Sequence, residues 1–267
     1  MMSSYSLQGI KMNKLVSVIS DTKVITVRNL TKYVRIPRLI VFSTIQPLMM
    51  LLLFNYVFGG ALRLPPGVDK YIIYLLPGII VQVVLFGTTQ ATIAMADDLN
   101  KGIINRFKSL PMSRFAVVAG RAFADLLRNA LVLTAMIILG FILGYELGGT
   151  IWQGLAAFGL ALLFSFAMSW VSISIGLLAK DPESAQAAGL IWVFPLAFAS
   201  SIFVPINTMP DWLQGFAENQ PVSRVASAVR ELTLGVGNYD NVMPAILWSL
   251  AIMVIFAFIS NRLYRKA

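Results

Sequence analysis

Six long apolar runs dominate this sequence, and none of them contains a lysine, an arginine or an aspartate. They lie at about 39–58, 71–96, 129–145, 151–179, 187–206 and 242–260. A bilayer core about 30 Å thick takes roughly 20 apolar helical residues per crossing. Soluble domains carry about 25 % charged residues, whereas this chain carries 12 %. The pattern predicts an all-α polytopic membrane protein, one domain over 1–267, with six transmembrane helices.

Two residue types are missing altogether, and their absence narrows the chemistry. The sequence contains no cysteine and no histidine, which excludes disulfide frameworks, thiolate metal sites and the commonest general base. Most metallohydrolase, Ser-His-Asp and Cys-His mechanisms are excluded with them. We therefore expect no catalytic residue, no metal site and no enzyme.

The net charge of +9 is arranged along the chain in a way that indicates topology. If the N-terminus is inside, all but four of the 21 Lys and Arg residues fall in the inner segments 1–38, 97–128, 179–184 and 262–267. By the positive-inside rule, both termini are then cytoplasmic in a multi-pass bacterial cell membrane protein. The basicity does not require a nucleic acid, which would need a clustered basic face.

The segment 11–32 is expected to be an amphipathic helix at the membrane interface. Leu15, Val18, Ile19 and Ile25 recur at roughly helical spacing, with basic residues on the remaining positions. Such a helix would lie in the headgroup layer, with its cations facing anionic lipid. The alternative is a partly ordered basic tail.

The apolar runs also indicate what the chain could move. Carriers coupled to ions or protons usually keep a titratable residue at mid-membrane, and these runs offer none. A path of apolar, aromatic and small polar groups suits a bulky amphipathic molecule better than an ion, with Phe54, Phe86 and Phe203 as weak candidates to line it. The sequence has no Gly-Lys dipeptide and hence no Walker A loop. If ATP drives this protein, a separate chain binds the nucleotide.

The inner connection between the second and third apolar runs is a place where a separate ATP-binding chain could act on this protein. Leu99, Ile103, Phe107 and Leu110 form an apolar stripe at helical spacing, which predicts a helix over 97–110 that ends at Pro111. A short helix tied at both ends can seat in a groove of a partner. The alternative is an interfacial helix that merely lies on lipid. The chain beyond this predicted helix carries three charged residues on one helix face, namely Arg121, Asp125 and Arg128.

Two blocks of this sequence closely resemble the permease subunits of type 2 ABC exporters, in the daunorubicin/doxorubicin-resistance branch. The first block contains Pro77-Gly78, Asp98 followed by Lys101-Gly102 and Arg106-Phe107, then Ser109-Leu110-Pro111 and Ala119-Gly120-Arg121. The second is PINTMPDWLQGFAENQPVSRVASAVRELTLG, in which Gln220-Pro221-Val222 stands where the family usually has Asn-Pro-Val. The resemblance covers about residues 12–265.

The resemblance implies a specific architecture. Six transmembrane helices follow the interface helix, the third from about 115, the fifth from about 185 and the sixth ending near 261. The segment 97–110 would be the coupling helix, and 208–235 a re-entrant helical hairpin near the outer face. The residues that would contact or shape the ATPase junction are Asp98, Gly102, Arg106, Phe107, Leu110 and Pro111.

The resemblance also implies partners. Two permease subunits, identical or different, would pair with two ABC ATPase subunits that bind ATP and Mg, and this chain would bind no cofactor. In the outer hairpin, Arg224, Arg230 and Glu218 would face the outer vestibule or its headgroups, or form a solvated surface.

Three functions are consistent with these observations. The first is export of an amphipathic drug, antibiotic or lipid-like molecule. The second is export of a lipid-linked glycan or teichoic polymer, which aromatic side chains along the opening would favour. The third is a membrane sensor or scaffold whose ATPase partner signals rather than pumps.

Overall fold

The computed structural model describes residues 3–58, 70–203, 205–235 and 237–266, and all regular structure within these ranges is helical. The helices are α1 Ser3–Arg35, α2 Pro37–Leu53, α3 Tyr71–Asn100, α4 Ile103–Lys108, α5 Arg114–Ile142, α6 Ile151–Ala179, α7 Pro182–Phe198, α8 Asp211–Asn219, α9 Pro221–Leu234 and α10 Val242–Lys266. A π-helical turn, Phe54–Phe58, continues α2, and a 3-10 turn, Ile206–Thr208, precedes α8. The predicted all-α class is confirmed over these ranges.

Four of the helices have the length and apolarity of a membrane span, namely α3, α5, α6 and α10. The other two expected crossings lie in α2 and α7. The 17 residues of α2 continue without a break into the π-helical turn, so that this helical segment extends from Pro37 to Phe58. The 17 residues of α7 extend about 25 Å at 1.5 Å per residue, which is less than a bilayer core of about 30 Å. The predicted fifth helix over 185–206 is shorter than expected, since it ends at Phe198 and the chain turns before it reaches 206.

The helix α6 lies at the centre of the bundle and packs against α3, α5, α9 and α10. Its start is fixed by a capping box, in which Thr150 Oγ1 accepts from the Gln153 amide and the Gln153 side chain accepts from the Thr150 amide. Its small residues let α3 come close: a Cβ on Gly176 would lie 2.6 Å from the Thr92 carbonyl and 2.8 Å from Met95 Cβ. The α3–α6 contact is therefore a backbone-to-backbone approach that only glycine permits.

Buried apolar side chains form two clusters, one toward each end of the bundle. The smaller cluster contains Ile25, Ile104 and Tyr264 and joins α1, α4 and the end of α10 to α3, α5 and α6. We call this the α1 end. The larger cluster contains Tyr71 and Val229, and we call its far end, where α9 lies, the α9 end. The N-terminal helix, the α3–α5 connection and the C-terminal helix end thus lie together.

The predicted continuous helix over 97–110 is interrupted in the structure. Residues up to Asn100 belong to α3, and the chain then turns at Lys101 and Gly102 before the six-residue α4. Gly102 adopts φ +66°, a left-handed conformation that favours glycine. The stripe from Leu99 to Leu110 kept helical spacing across this turn, so periodicity alone did not reveal it. Asp97 and Asp98 consequently lie in the last turn of α3.

The helix expected over 11–32 is longer, since α1 extends from Ser3 to Arg35. It packs along α5, where Ile25 is buried and Thr26 Oγ1 donates to the Gly120 carbonyl at 3.2 Å. Ile36 ends α1, and Pro37 begins α2 at a position where a missing N–H costs no helical hydrogen bond. Ile19, expected on the same apolar face as Ile25, is exposed.

The hairpin expected over 208–235 is formed by α8 and α9, which differ in burial. In α8, Trp212 and Phe216 are exposed. In α9 the valine and alanine side chains are buried against α3, α6 and α10. Pro221 starts α9, and Gly235, at φ +66°, ends it. The hairpin therefore inserts one helix into the bundle and leaves the other at its surface.

A substitution in α6 tests the close approach of α3. We expect Gly176→Ala to lower the free energy of unfolding by about 1–3 kcal/mol, the usual cost of overpacking, because its Cβ meets backbone and Met95 Cβ. The control is Gly159→Ala in the same helix, where a Cβ has no neighbour within 4 Å. That variant should be neutral or more stable, since mid-helix glycine costs about 0.5–1 kcal/mol relative to alanine. Thermal unfolding of both proteins in detergent measures the difference, and equal midpoints would contradict the packing.

Candidate functional site

The connection between α3 and α5, residues 101–113, forms a short arm at the α1 end, and we call it the arm. Arg106, Leu110 and Pro111 are exposed on it. Ser109 Oγ donates to the Arg106 carbonyl at 2.8 Å and closes the last turn of α4. The arm thus exposes Arg106 with the two apolar side chains of Leu110 and Pro111, and a second exposed cation, Lys101, lies at its start.

The arm is fixed to the bundle through α1 as well as through its own ends. Ile104 is 2 % exposed and packs in the cluster with Ile25. The guanidinium of Arg28 in α1 lies 4.9 Å from the centre of the Phe107 ring, a cation–π distance. At the far end, the Ser113 amide donates to Asp21 Oδ2 at 3.0 Å. A displacement of α4 must therefore be shared by α1.

A buried ion pair lies directly behind the arm. Arg121 Nη1 in α5 donates to Asp98 Oδ2 in α3 at 2.9 Å, and both side chains are less than a tenth exposed. Two cations of α1 approach the same carboxylate, Arg28 at 3.9 Å and Lys32 at 4.0 Å. One aspartate therefore holds α1, α3 and α5 together.

The neighbouring carboxylate is more exposed and has its own partners. Asp97 accepts from Lys101 Nζ at 2.8 Å and lies 3.8 Å from Lys32. The hydrogen bond to Asp97 raises the pKa of Lys101. Two carboxylates at a helix C-terminus are opposed by the helix dipole. The surrounding cations offset that repulsion, which explains why acidic residues are tolerated at this end of α3.

The polar face of α5 continues the network toward the middle of the bundle. Asp125 accepts a hydrogen bond from Tyr33 Oη at 3.2 Å, and its other oxygen lies 3.9 Å from Arg121 Nε. Burial, together with the nearby Asp125 charge, raises the pKa of Tyr33, so this phenol remains a neutral donor. Arg128 lies over the Tyr33 ring, 5.8 Å from its centre.

The network ends on α3 and α6. Arg128 Nη2 donates to the Gly87 carbonyl at 3.2 Å and to Asn129 Oδ1 at 3.1 Å. Asn129 Nδ2 donates in turn to Ser165 Oγ at 2.7 Å. A continuous chain of polar contacts thus leads from the base of the arm to the bundle interior.

The structure places the six predicted junction residues in different environments. Arg106, Leu110 and Pro111 are exposed, Phe107 is half-buried, and Gly102 forms the turn before α4. Asp98 is buried, so it can shape the arm but cannot contact a partner directly.

Sequence reasoning missed the α1 partners of this site. It assigned the α1 cations to lipid headgroups, whereas Arg28 and Lys32 approach Asp98. The Asp97-Asp98 pair was a signal in the sequence that could have indicated these partners, because two carboxylates are costly to bury without cations nearby.

The three predicted path residues lie in one row of aromatic rings. Phe54 stacks on Phe203 with 5.1 Å between centroids, and Phe203 stacks on Phe198 at 5.5 Å. Phe198 stacks on Phe194 at 5.7 Å, and Phe194 meets Phe86 edge-on at 5.5 Å. We call these five rings the aromatic row. It connects the end of α2, the end of α7 and the middle of α3.

Phe194 and Phe198 were not predicted as part of this row. They lie four residues apart in α7, on the same helix face, and they are 44 % and 57 % exposed. Their i, i+4 spacing was a signal that the sequence contained. The stacked rings of the row largely cover one another's faces, and Phe194 and Phe198 add partly exposed aromatic surface to it.

Comparison with known families gives one match that spans most of the chain. Residues 20–234 match the family described as ABC-2 type transporter. The match includes the arm, the Asp98–Arg121 pair, the aromatic row and the α8–α9 hairpin.

Similar curated proteins carry related descriptions. The daunorubicin resistance ABC transporter permease protein DrrB1 of Streptomyces coeruleorubidus is 32 % identical over 239 residues, which cover 90 % of this chain and 84 % of that protein. The probable doxorubicin resistance ABC transporter permease protein DrrC of Mycobacterium tuberculosis is 22 % identical over 249 residues, or 93 % and 90 % of the two chains. The putative transport permease ycf38 of Cyanophora paradoxa is 26 % identical over 200 residues, or 74 % and 69 %.

The ion pair behind the arm gives a test of its own. We expect Asp98→Asn to lower the free energy of unfolding by about 3–5 kcal/mol, because removing one partner of a buried ion pair is strongly destabilising. Arg121 then keeps only the more distant carboxylate of Asp125, at 3.9 Å. The matched control is Asp97→Asn, whose side chain is three times as exposed as that of Asp98 and which should cost no more than about 1 kcal/mol. Thermal unfolding of the purified variants measures both values. Equal losses in the two variants would show that Asp98 is not the central residue of the network.

Proposed function

The chain belongs to the ABC-2 type transporter family, and from this premise we propose that it is the membrane subunit of an ATP-driven exporter. In this proposal it moves a large amphipathic molecule, such as a drug, an antibiotic or a lipid-like compound, out of the cytoplasm or the inner leaflet. The observation that carries the proposal is the arm, which is exposed at Arg106, Leu110 and Pro111 and is held to α1 through Phe107 and Ser113.

The energy source in this proposal is a pair of separate ABC ATPase subunits. The sequence has neither a Walker A loop nor a Leu-Ser-Gly-Gly-Gln motif, so ATP and Mg would bind to the partner chains. Two permease subunits would complete the assembly, with six crossings in each and both termini in the cytoplasm. The helix α2 with its π-helical turn, and the shorter α7, would supply the two remaining crossings.

The arm would convert closure of the ATPase dimer into movement of the bundle. The exposed Arg106, Leu110 and Pro111 suit a groove with an apolar floor and an acidic rim, because surfaces associate when charge and shape are complementary. A push on α4 would pass to α1 through Phe107 and Arg28, and to α5 through the Asp98–Arg121 pair.

The aromatic row would line the path of the substrate. Ring faces stack on planar or amphipathic molecules without requiring a fixed charge, and the apolar runs offer no charged partner at mid-membrane. The names of two relatives refer to daunorubicin and doxorubicin resistance, which favours a drug-like substrate here as well.

A second candidate is export of a lipid-linked glycan or teichoic polymer. The aromatic row is the observation that favours it, since a sugar chain can also pass along ring faces. A sensor or scaffold with a signalling ATPase is the third candidate, and transport by the assembled complex distinguishes it from the other two.

The coupling proposal is tested by charge reversal on the arm. We expect Arg106→Glu to reduce substrate-stimulated ATPase of the assembled complex about tenfold or more, because a like charge against an acidic rim costs several kcal/mol. The permease alone should hydrolyse no ATP. The control is Arg35→Glu, which reverses an exposed cation in the last turn of α1, outside the arm. Full stimulation in the Arg106 variant, or ATP turnover by the purified chain, would refute the proposed coupling.

The path proposal is tested by removing one ring. We expect Phe203→Ala to raise the KM for ATP-dependent doxorubicin uptake into inside-out vesicles by about three- to tenfold, the effect of losing about 0.5–1.5 kcal/mol of aromatic contact. Its ring lies between Phe54 and Phe198, so the row is broken at that point. Phe258→Ala removes an exposed ring of α10 outside the row and should leave KM unchanged. An equal KM in the two variants would contradict the assignment of the row.

A further inference from the structure

Arg230 of α9 is buried in the bundle instead of facing a vestibule or headgroups. Arg230 is only 8 % exposed. The guanidinium lies over the Tyr74 ring, 4.1 Å from its centre. Within the described ranges, Arg230 forms no ion pair with a carboxylate. A buried cation of this kind is retained only where hydrogen bonds compensate for the lost water.

Those hydrogen bonds connect two separate elements. Arg230 Nη2 donates to the Ile202 carbonyl at 2.6 Å, and Arg230 Nε donates to the Tyr74 carbonyl at 3.2 Å. Tyr74 belongs to α3, whereas Ile202 lies in the non-helical stretch that follows α7. We call residues 199–203 the turn segment. The planar guanidinium fork bridges the two carbonyls, a geometry that an ammonium group does not reproduce.

The turn segment depends on α9 for its hydrogen bonds. Because α7 ends at Phe198, the carbonyls beyond it have no helical donors. Gln220 Nε2 donates to the Ala199 carbonyl, and the Ser201 amide donates to Ser223 Oγ at 3.1 Å. Arg230 is the charged member of this set. The segment also has local hydrogen bonds, from the Ala199 amide to the Pro195 carbonyl and from the Ile202 amide to Ser200 Oγ. Side chains at the start of α9 and within it connect the segment to the rest of the bundle.

Gly78 makes the close approach possible. It follows Pro77, the proline inside α3. A Cβ at Gly78 would overlap the Ile202 carbonyl oxygen and lie 2.7 Å from Arg230 Nη2. The Pro77-Gly78 pair therefore marks the place where the turn segment and Arg230 dock on α3.

The residue after Ile202 is Phe203, which stacks on Phe54 at the end of the aromatic row. A contact that fixes the Ile202 carbonyl therefore also fixes where this ring lies. We propose that Arg230 is the positioning residue that holds the turn segment against α3, and that the α9 end of the aromatic row opens only when the guanidinium leaves the Ile202 carbonyl. The role of this opening in export rests on the proposed function, whereas the contact itself does not.

The chain has no native cysteine, so one introduced thiol reports on the segment without background. The variant Ile202→Cys keeps the backbone carbonyl that Arg230 binds. Its thiol side chain takes the place of the Ile202 side chain, in a residue that is 0 % exposed. A maleimide can then react only when the segment moves. With the full chain in lipid nanodiscs, we expect Arg230→Gln to accelerate labelling of this cysteine about tenfold or more, because a charged hydrogen bond is lost.

Two controls separate local release from general loosening. Arg224→Gln removes a cation from the same helix, but one that donates to Asn241 and Asn219 and not to the turn segment, so labelling should keep its original rate. A second reporter, Ile25→Cys, lies buried at the α1 end and should not respond to Arg230→Gln. Arg230→Lys should give an intermediate rate, since one ammonium cannot serve both carbonyls.

If Arg230→Gln does not yield folded protein, Arg230→Lys and Gly78→Ala decide the question, because the added Cβ displaces the segment without changing charge. Original labelling rates in the Arg230 and Gly78 variants would overturn the proposal, as would equal acceleration at positions 202 and 25. The assay contains neither ATPase nor substrate. A negative result would therefore refute the positioning role while leaving the export proposal to its own tests.

Discussion

One buried ion pair, Asp98–Arg121, joins the helices that the rest of this structure depends on. A charge in a low-dielectric interior must be paired, and the pairing fixes α3 against α5 while two cations of α1 close on the same carboxylate. The arm begins three residues after Asp98, so its position follows from this pair. The short helix α4 is thereby held firmly, because its base is joined to three neighbouring helices.

Two buried arginines supply hydrogen bonds at different depths of the bundle. Inside a bilayer, every backbone polar group must find a partner within the protein. Toward the middle of the bundle, the Arg128 side chain donates to the Gly87 carbonyl, and at the α9 end Arg230 donates to the carbonyls of Tyr74 and Ile202. The aromatic row starts beside the second of these sites and continues along α7. Irregular backbone and a row of aromatic rings thus occur together there.

Much of the fold could be read from hydrophobic periodicity, and the failures have specific causes. The span over 151–179 corresponds to α6 because its composition is apolar throughout. The continuous helix predicted from the apolar stripe between Leu99 and Leu110 was wrong, because Gly102 turns the chain without disturbing the helical spacing of the apolar residues. Among the residues predicted for the ATPase junction, Arg106 is exposed and Asp98 is buried, and the junction itself stays a prediction. Burial of a charge depends on partners far away in sequence, which no local pattern contains.

The sequence by itself determined the class of protein: apolar runs of bilayer length, without lysine, arginine or aspartate, leave only a helical membrane protein. It also determined the asymmetry of basic charge and the lack of a nucleotide-binding loop, since both are local properties of the chain. Only the tertiary structure decided which cations meet Asp98 and that Arg230 is buried. It likewise brought phenylalanines of three elements into one row. These are relations between distant segments, and packing alone brings such segments together.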